Sequence, residues 1–361
     1  MEDNKRAATI KRIEAEIKKI DNKENRLYFF VIDSKGNPNG YLSYIYETAL
    51  NLKERGYDVH MLHQEDEFVG VSSWLGEKYS TLPHHNIGKE EMNAAPSDFL
   101  FIPEIYTNVM QQTKSMPCKR VVIMQNFEYA TQIIPVGASW ANFGIRDCVT
   151  STPKLAEKTK EVFPFVSTRV VKPVVPSYFC APTEPKKLIV NIFAKEQTDI
   201  NLIVKPFFWK YPMYKWVAFR DLRNVPRVDF ANALKEAAFT IWVDPKTEFG
   251  YSAVEAMRCG SIVIGKLPEQ EIDWMLSDDG KEYANNCILF NSMDEVHGLI
   301  AGAVEAFITD KIPENILSEM KKMDYKYTEE EFGKAIEEVY INDLFAKHRA
   351  ELVLALDGFK K

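Results

Sequence analysis

LYFFVIDSKGNPNGYLSYIYETALNLKERGYDVHML, residues 27–62, decides the fold class. LYFFVID is short, apolar and rich in β-formers, which predicts a strand. GNPNG is a loop, and YLSYIYETALNLKERG is an amphipathic helix stopped by Gly56. YDVHML predicts the next strand, with His60 and His63 on either side of it, one packed and one solvated. Strand, loop, helix and strand within some three dozen residues make a βαβ unit, and so a parallel sheet.

The same alternation continues. Strands are predicted at DFLFI, KRVVIM and DCVTS, and a helix at KLAEKTKEVF. PVVPSYFCAPTEPKK, residues 173–187, then places four prolines in fifteen residues and reads as a stiff linker. Beyond it come KLIVNIFA, a helix around residues 201–208, KWVAF, ANALKEAA, FTIWVD, a helix from Tyr251 and SIVIG. The predicted organisation is α/β: an amphipathic helix over 1–24, a Rossmann-like domain over 25–178, and a second over 179–339. The two domains are expected to face each other across a cleft, and helix 340–361 to cross back and brace the first. Open parallel sheets bind ligands beyond the carboxyl ends of their strands. YTEEEF opens the terminal helices with capping-box spacing, and Phe332, Ile336, Val339, Tyr340 and Leu344 form their apolar face.

Composition narrows the function. The 361 residues are 46% apolar and 27% charged, with a net charge of −7, so no whole-surface attraction for nucleic acid or anionic lipid is expected. Five scattered cysteines without a CxxC pair argue against a disulfide framework or zinc site and fit a reducing cytoplasm. No apolar run approaches the ~18 residues of a membrane span, and the charged N-terminus is unlike a secretory signal. A cytoplasmic location is expected. In the first helix Ile10, Ile13, Ile17 and Ile20 form one stripe. It reads as packing on its own protein, with a homodimer contact or a peripheral membrane contact as alternatives.

TEFGYSAVEAMRCGSIVIG, residues 247–265, carries the chemistry. The helix beginning near Tyr251 points its unpaired N–H groups and positive dipole end at the carboxyl edge, a ready phosphate site. Gly250 lets backbone approach a ligand, and Glu255, one turn in, can accept from sugar hydroxyls. Phosphate beside a diol describes a nucleotide sugar. His84-His85 falls in a polar loop and is weak evidence for metal. No other cluster has ligand spacing, so neither metal nor cofactor is expected. PFFWKYPMYKW, residues 206–216, reads as core and domain surface rather than a base-stacking platform.

EFGYSAVEAMRCGSIVIG resembles the signature of the retaining GT-B glycosyltransferases of the GT4 type. The resemblance extends over roughly residues 26–345. GNPNGYLSYIYETALNLKERGYDVHML is similar to the first glycine loop, helix and second strand, with Gly40 and Gly56 sixteen apart. VVIMQNFEYA is similar to the strand that ends in a His-Asn pair, DCVTSTPKLAEKTKEVF to the helix before the linker, and YKYTEEEFGKAIEEVY to the bracing helix.

The resemblance implies a GT-B fold and transfer of a sugar from a nucleoside-diphosphate donor to an acceptor hydroxyl with retention. Catalytic roles fall on Lys195 and Glu248. Donor binding falls on Gly40, Lys195, Arg220, Glu248, Phe249, Gly250, Tyr251 and Glu255, with Glu255 on the ribose and Arg220 beside the base. Gln125 and Asn126 line the acceptor or sugar side. Three departures stand out. The two acids are seven apart instead of eight, so either Glu248 takes the first acid's role or the Thr247 hydroxyl faces the sugar. Asn201 stands where a second basic residue is expected, with Lys205 one turn on. Gln125 replaces a histidine and cannot shuttle a proton. The acceptor implied is a cell-surface glycan or lipid-linked intermediate. The alternatives are a modified base in viral DNA, which makes nucleic acid the partner, or a noncatalytic sugar-nucleotide or glycan-binding module.

Overall fold

The structure, a computed structural model, describes residues 2–277 and 279–360. The chain divides into two compact units, residues 1–173 with 332–361, and residues 174–331. The first crossing thus comes five residues before the sequence-based boundary at 178. Segment 332–339, assigned from sequence to the second domain, belongs with the first, where Arg55 donates to the Gly333 carbonyl at 2.7 Å and pairs with Glu337 at 3.2 Å.

Among the described residues the first unit holds a seven-stranded sheet. Its strands are β1 (Arg26–Phe30), β2 (Asp58–His63), β3 (His84–Asn86), β4 (Phe99–Pro103), β5 (Lys119–Met124), β6 (Asp147–Thr150) and β7 (Ser167–Val170), in spatial order β3-β2-β1-β4-β5-β6-β7. Every pairing is parallel. β4 is buried along its whole length, as its unbroken FLFIP run requires of a strand covered on both faces. The helix Gly40–Glu54 is capped by the Asn39 side chain and ends before Gly56, whose φ of +88° closes the turn.

His84 and His85 lie in β3 and not in a loop, because their backbone pairs with the free edge of β2 at Met61 and Leu62. Low strand propensity concealed them; pairing overrides it. His84 Nε2 lies 2.9 Å from Tyr46 Oη, and burial lowers its pKa to about 4. His63 is buried, and half-buried His60 places Nδ1 3.0 Å from His85 Nε2.

Both chain ends belong to this unit. Ile17 and Ile20 of the first helix, Glu2–Asp21, are each 8% exposed. That helix packs on the last one, Ala346–Lys360, through Lys360–Glu14 at 2.9 Å, Arg349–Asp21, and Arg6 Nε donating to the Phe359 carbonyl. Ile17 and Ile20 are therefore seated on their own chain, while Ile10 and Ile13 stay half-buried. The π-helical turns Glu337–Phe345 bring Tyr340 against Phe101 and Phe345 against Phe99, while Asp343 pairs with Arg169 at 2.6 Å.

The second unit holds β8 (Lys187–Ala194), β9 (Ala218–Asp221), β10 (Ala237–Val243), β11 (Ile262–Lys266) and β12 (Ile288–Phe290) in order β12-β11-β10-β8-β9, again all parallel. The central β10 is wholly buried. The helix Gln197–Lys210 turns Ile200, Ile203 and Phe207 into the core. Trp209, Met213 and Trp216, however, stand 76%, 63% and 59% exposed. Among the described residues no helix is long and apolar enough to cross a membrane.

Candidate functional site

In the second unit, Lys195 and Asp244 are the residues directly after β8 and β10, adjacent strands whose last residues, Ala194 and Val243, are in register. Lys195 Nζ lies 2.7 Å from Asp244 Oδ1, with the lysine side chain 56% exposed and the aspartate 12%. Burial raises the Asp244 pKa and Lys195 pulls it back. The cation therefore stands in solvent on a carboxylate anchored at the sheet's end. Asp244 was not singled out from sequence. Its signal was an acid closing an apolar strand, FTIWVD.

The loop beyond β10 leads into the helix Tyr251–Arg258. Thr247 Oγ1 accepts from the Gly250 N–H at 2.8 Å, so the threonine hydroxyl serves this loop's own backbone. That contact also engages the N–H of Gly250 that was expected to meet a ligand. Gly250 is required for another reason. Its φ is +74°, and a Cβ there would lie 2.7 Å from Trp242 Cζ2. Gly265 closes on the same indole from β11, where a Cβ would meet Trp242 Cε3 at 2.9 Å.

Glu248 is 7% exposed and accepts from Gln270 Nε2 at 3.1 Å. Phe249 is core, its ring edge-on to Tyr251 and Tyr327 at 4.8 and 4.9 Å, so its side chain offers no face to a donor. Tyr251, half-buried, opens the helix.

Glu255 is 2% exposed, and its Oε1 lies 2.7 Å from Arg227 Nη2. Burial raises the pKa of this carboxyl against the pull of Arg227. Burial also works against charge on Arg227, but Glu255 and Tyr178 outweigh it and raise its pKa. The guanidinium further stacks over the Phe179 ring at 5.0 Å. The acid expected to meet a ribose is thus engaged inside the unit by an arginine not singled out from sequence. Arg227 opens the helix Arg227–Glu236, and nothing in RNVPRVDF distinguished it from a surface residue.

Arg220 does not join this group. Its Nη2 lies 2.7 Å from Glu236 Oε2, and Glu236 also holds Lys187, the first residue of β8. Arg220 is in register with Asn191, four residues and so roughly 13 Å of strand short of Lys195, and its guanidinium reaches back toward the amino end. The edge strand, Ala218–Asp221, ends two residues later than KWVAF predicted, so Arg220 lies within it and not beyond it. Arg223 is at the carboxyl end instead, held by Asp221 at 2.6 Å and by Gln197. Asn201 and Lys205 are exposed on the helix Gln197–Lys210.

In the first unit the carboxyl edge gathers around Glu104, which follows β4 and is 0% exposed. Its Oε1 accepts from the backbone N–H of Gln125 at 3.1 Å and of Asn126 at 2.7 Å, and Tyr41 Oη donates to Oε2. Burial pushes its pKa up to about 7 against these hydrogen bonds. Gln125 turns its Nε2 onto the Tyr41 carbonyl at 3.0 Å. Asn126 caps the helix Phe127–Ile133, and Gly40 begins the helix that carries Tyr41. The structure therefore joins Gly40, Gln125 and Asn126 through an acid overlooked in the sequence, again one that closes an apolar strand. Among the described residues no group of three or more His, Cys, Asp or Glu side chains is placed to hold a metal ion.

No protein-family model matches the sequence, and no curated protein sequence matches it. Solved structures do match. Sucrose-phosphate synthase from Thermosynechococcus elongatus aligns with a TM-score of 0.61 at 10% identity, over 90% of this chain and 100% of that one. The pneumococcal O-GlcNAc transferase GtfA, in complex with UDP and GlcNAc, aligns at 0.59 and 10% identity over 91% and 99%. A glycosyltransferase from Rickettsia africae ESF-5 aligns at 0.55 and 10% identity over 88% and 99%. At this identity the likeness shows the fold: two parallel-sheet α/β units, in the architecture of the GT-B glycosyltransferases.

Proposed function

We propose that the chain is a glycosyltransferase that moves a sugar from a nucleoside-diphosphate donor to an acceptor hydroxyl, with retention at the anomeric carbon. The observation that carries it is Lys195, a half-exposed cation fixed on Asp244 at the carboxyl end of the second sheet, one strand from the start of the helix Tyr251–Arg258. A cation and a helix start stabilise the charge that a departing diphosphate gathers. Asp244 orients the ammonium in advance, so little reorganisation remains when the glycosidic bond breaks. On this reading the transition state is oxocarbenium-like and the leaving phosphate takes the acceptor's proton, which asks orientation of the protein rather than a strong base. No metal is required. A ribose contact by Glu255 requires its closed pair with Arg227 to open, and Gln125 and Asn126 serve the acceptor side. The acceptor is a cell-surface glycan or lipid-linked hydroxyl.

A melting-temperature screen against nucleoside diphosphates and their sugars tests the reading. A ligand at about 100 times its Kd adds roughly 2.7 kcal/mol of stability and raises the midpoint visibly. Absence of any shift across the panel removes the donor site. A second reading, a binding module without turnover, is favoured by Thr247 and Gln125, since Thr247 Oγ1 accepts from backbone and Gln125 Nε2 donates to it. Proton NMR separates the two: a donor that raises the midpoint yet releases no sugar supports the module.

A further inference from the structure

We propose that the end of the helix Gln197–Lys210 and the turn after it form a docking surface for an anionic lipid bilayer. That helix is apolar on two faces. Ile200, Ile203 and Phe207 take one into the core, which accounts for ordinary amphipathicity. On the other side Leu202 and Trp209, seven residues apart and therefore in line, stand 47% and 76% exposed. The chain then turns at Pro212–Tyr214 and adds Met213 and Trp216, 63% and 59% exposed, with Trp216 propped edge-on against Tyr214 at 6.3 Å. Two tryptophans, a leucine and a methionine in water within fifteen residues need an occupant.

Charge selects that occupant. Between Asp199 and Asp221 the sequence has no acid, in a protein of net charge −7, while Lys205, Lys210 and Lys215 fall on this segment. All three are exposed, and among the described residues no carboxylate pairs with them. Tryptophan ringed by lysine is the composition of the membrane interface, where the indole sits at headgroup depth and the ammonium meets anionic phosphate. Protein interfaces deplete lysine at their centres, and a twofold contact with a second copy would set the lysines against one another. A nucleic-acid footprint asks for denser basic charge, and Leu202 and Met213 have no ring to stack on a base. Trp209 is roughly 18 Å along the helix from its start beside Lys195, so docking leaves the carboxyl-edge loops in water. The surface stands independently of the glycosyl-transfer reading.

The full chain is sedimented with vesicles of phosphatidylcholine alone and of an equal mixture with phosphatidylglycerol, at low and moderate salt, beside a duplex-DNA retention assay and light scattering. The expected result is binding to the mixed vesicles only, weakened by salt. Trp209→Ala with Trp216→Ala should lower it roughly tenfold, and charge reversal of the three lysines roughly a hundredfold. Because all five side chains are exposed, unchanged circular dichroism and melting are expected in both variants. The proposal is overturned by absence of binding at low salt, by equal binding to both vesicle types, or by variants that bind like the parent. It is overturned equally if the substitutions abolish DNA retention or self-association while vesicle binding is absent.

Discussion

Two acids close two apolar strands, Glu104 after FLFIP in the first unit and Asp244 after AAFTIWV in the second, and their surroundings part company. Asp244 leans on a cation, Lys195, and its unit adds Arg227 on Glu255 and Arg223 on Asp221. Glu104 is bonded by a phenol and two backbone amides, all neutral. One edge is built of ion pairs and suits a charged ligand. The other holds a single buried carboxyl whose charge is marginal near neutral pH. Parallel sheets supply a place for chemistry at their carboxyl ends; the side chains that arrive from other elements decide which chemistry it is.

The comparison breaks most visibly at Arg227. Replacing it with methionine strands Glu255 in the interior, and about 3–5 kcal/mol should be lost in urea denaturation. Replacing Glu255 with leucine as well should restore most of that loss, since a buried pair exchanged for apolar side chains is often neutral. A single-variant loss below 1 kcal/mol would mean that the pair is not the closed one described.

Glu104→Gln comes next. The Glu104 pKa is raised from the ordinary 4.5 to about 7, so the folded protein binds its proton more tightly than the unfolded chain. The stability it contributes is full below pH 4.5 and disappears as pH rises through 7. Glutamine keeps the acceptor oxygen for both amides and has no proton to lose. The difference between variant and parent should therefore move in the variant's favour by about 3 kcal/mol between pH 4.5 and 8. His84, lowered to about 4, gives the opposite slope between pH 4 and 6.5, so the difference is the quantity to follow. A difference that stays flat would leave the two edges electrostatically alike.

Gly250→Ala combines a left-handed backbone with contact on Trp242 and should cost about 2 kcal/mol. Lys195→Ala should barely change stability, about 0–1 kcal/mol, because the lysine is exposed. Yet it should weaken nucleoside-diphosphate binding roughly tenfold to hundredfold by calorimetry. Full affinity in that variant would detach the charged edge from the donor.

Much of this was legible in the chain. KLIVNIFA and FTIWVD are strands, with Lys195 directly after the first and the Gly250 loop leading on from the second, because apolar runs bounded by turn residues leave few choices. Arg227, Glu104 and Asp244 were overlooked as functional candidates because polarity alone does not distinguish a buried acid or arginine from a solvated one. Strands β3, β7 and β12 are three or four residues long and take their conformation from a neighbour's free edge, which no local pattern records. Arg220 lies inside its strand and is held by Glu236, because the edge strand continues two residues past KWVAF.

By itself the sequence determined the alternation of strands and helices and the two parallel sheets, since hydrophobic periodicity and helix stops act within one element. Only the tertiary structure decided who partners whom: Arg227 with Glu255, Lys195 with Asp244, and Tyr41 and two amides with Glu104. Those partners lie 28, 49 and as many as 63 positions away along the chain. Charge and hydrogen bonding act through space, at separations that folding sets and residue order does not display.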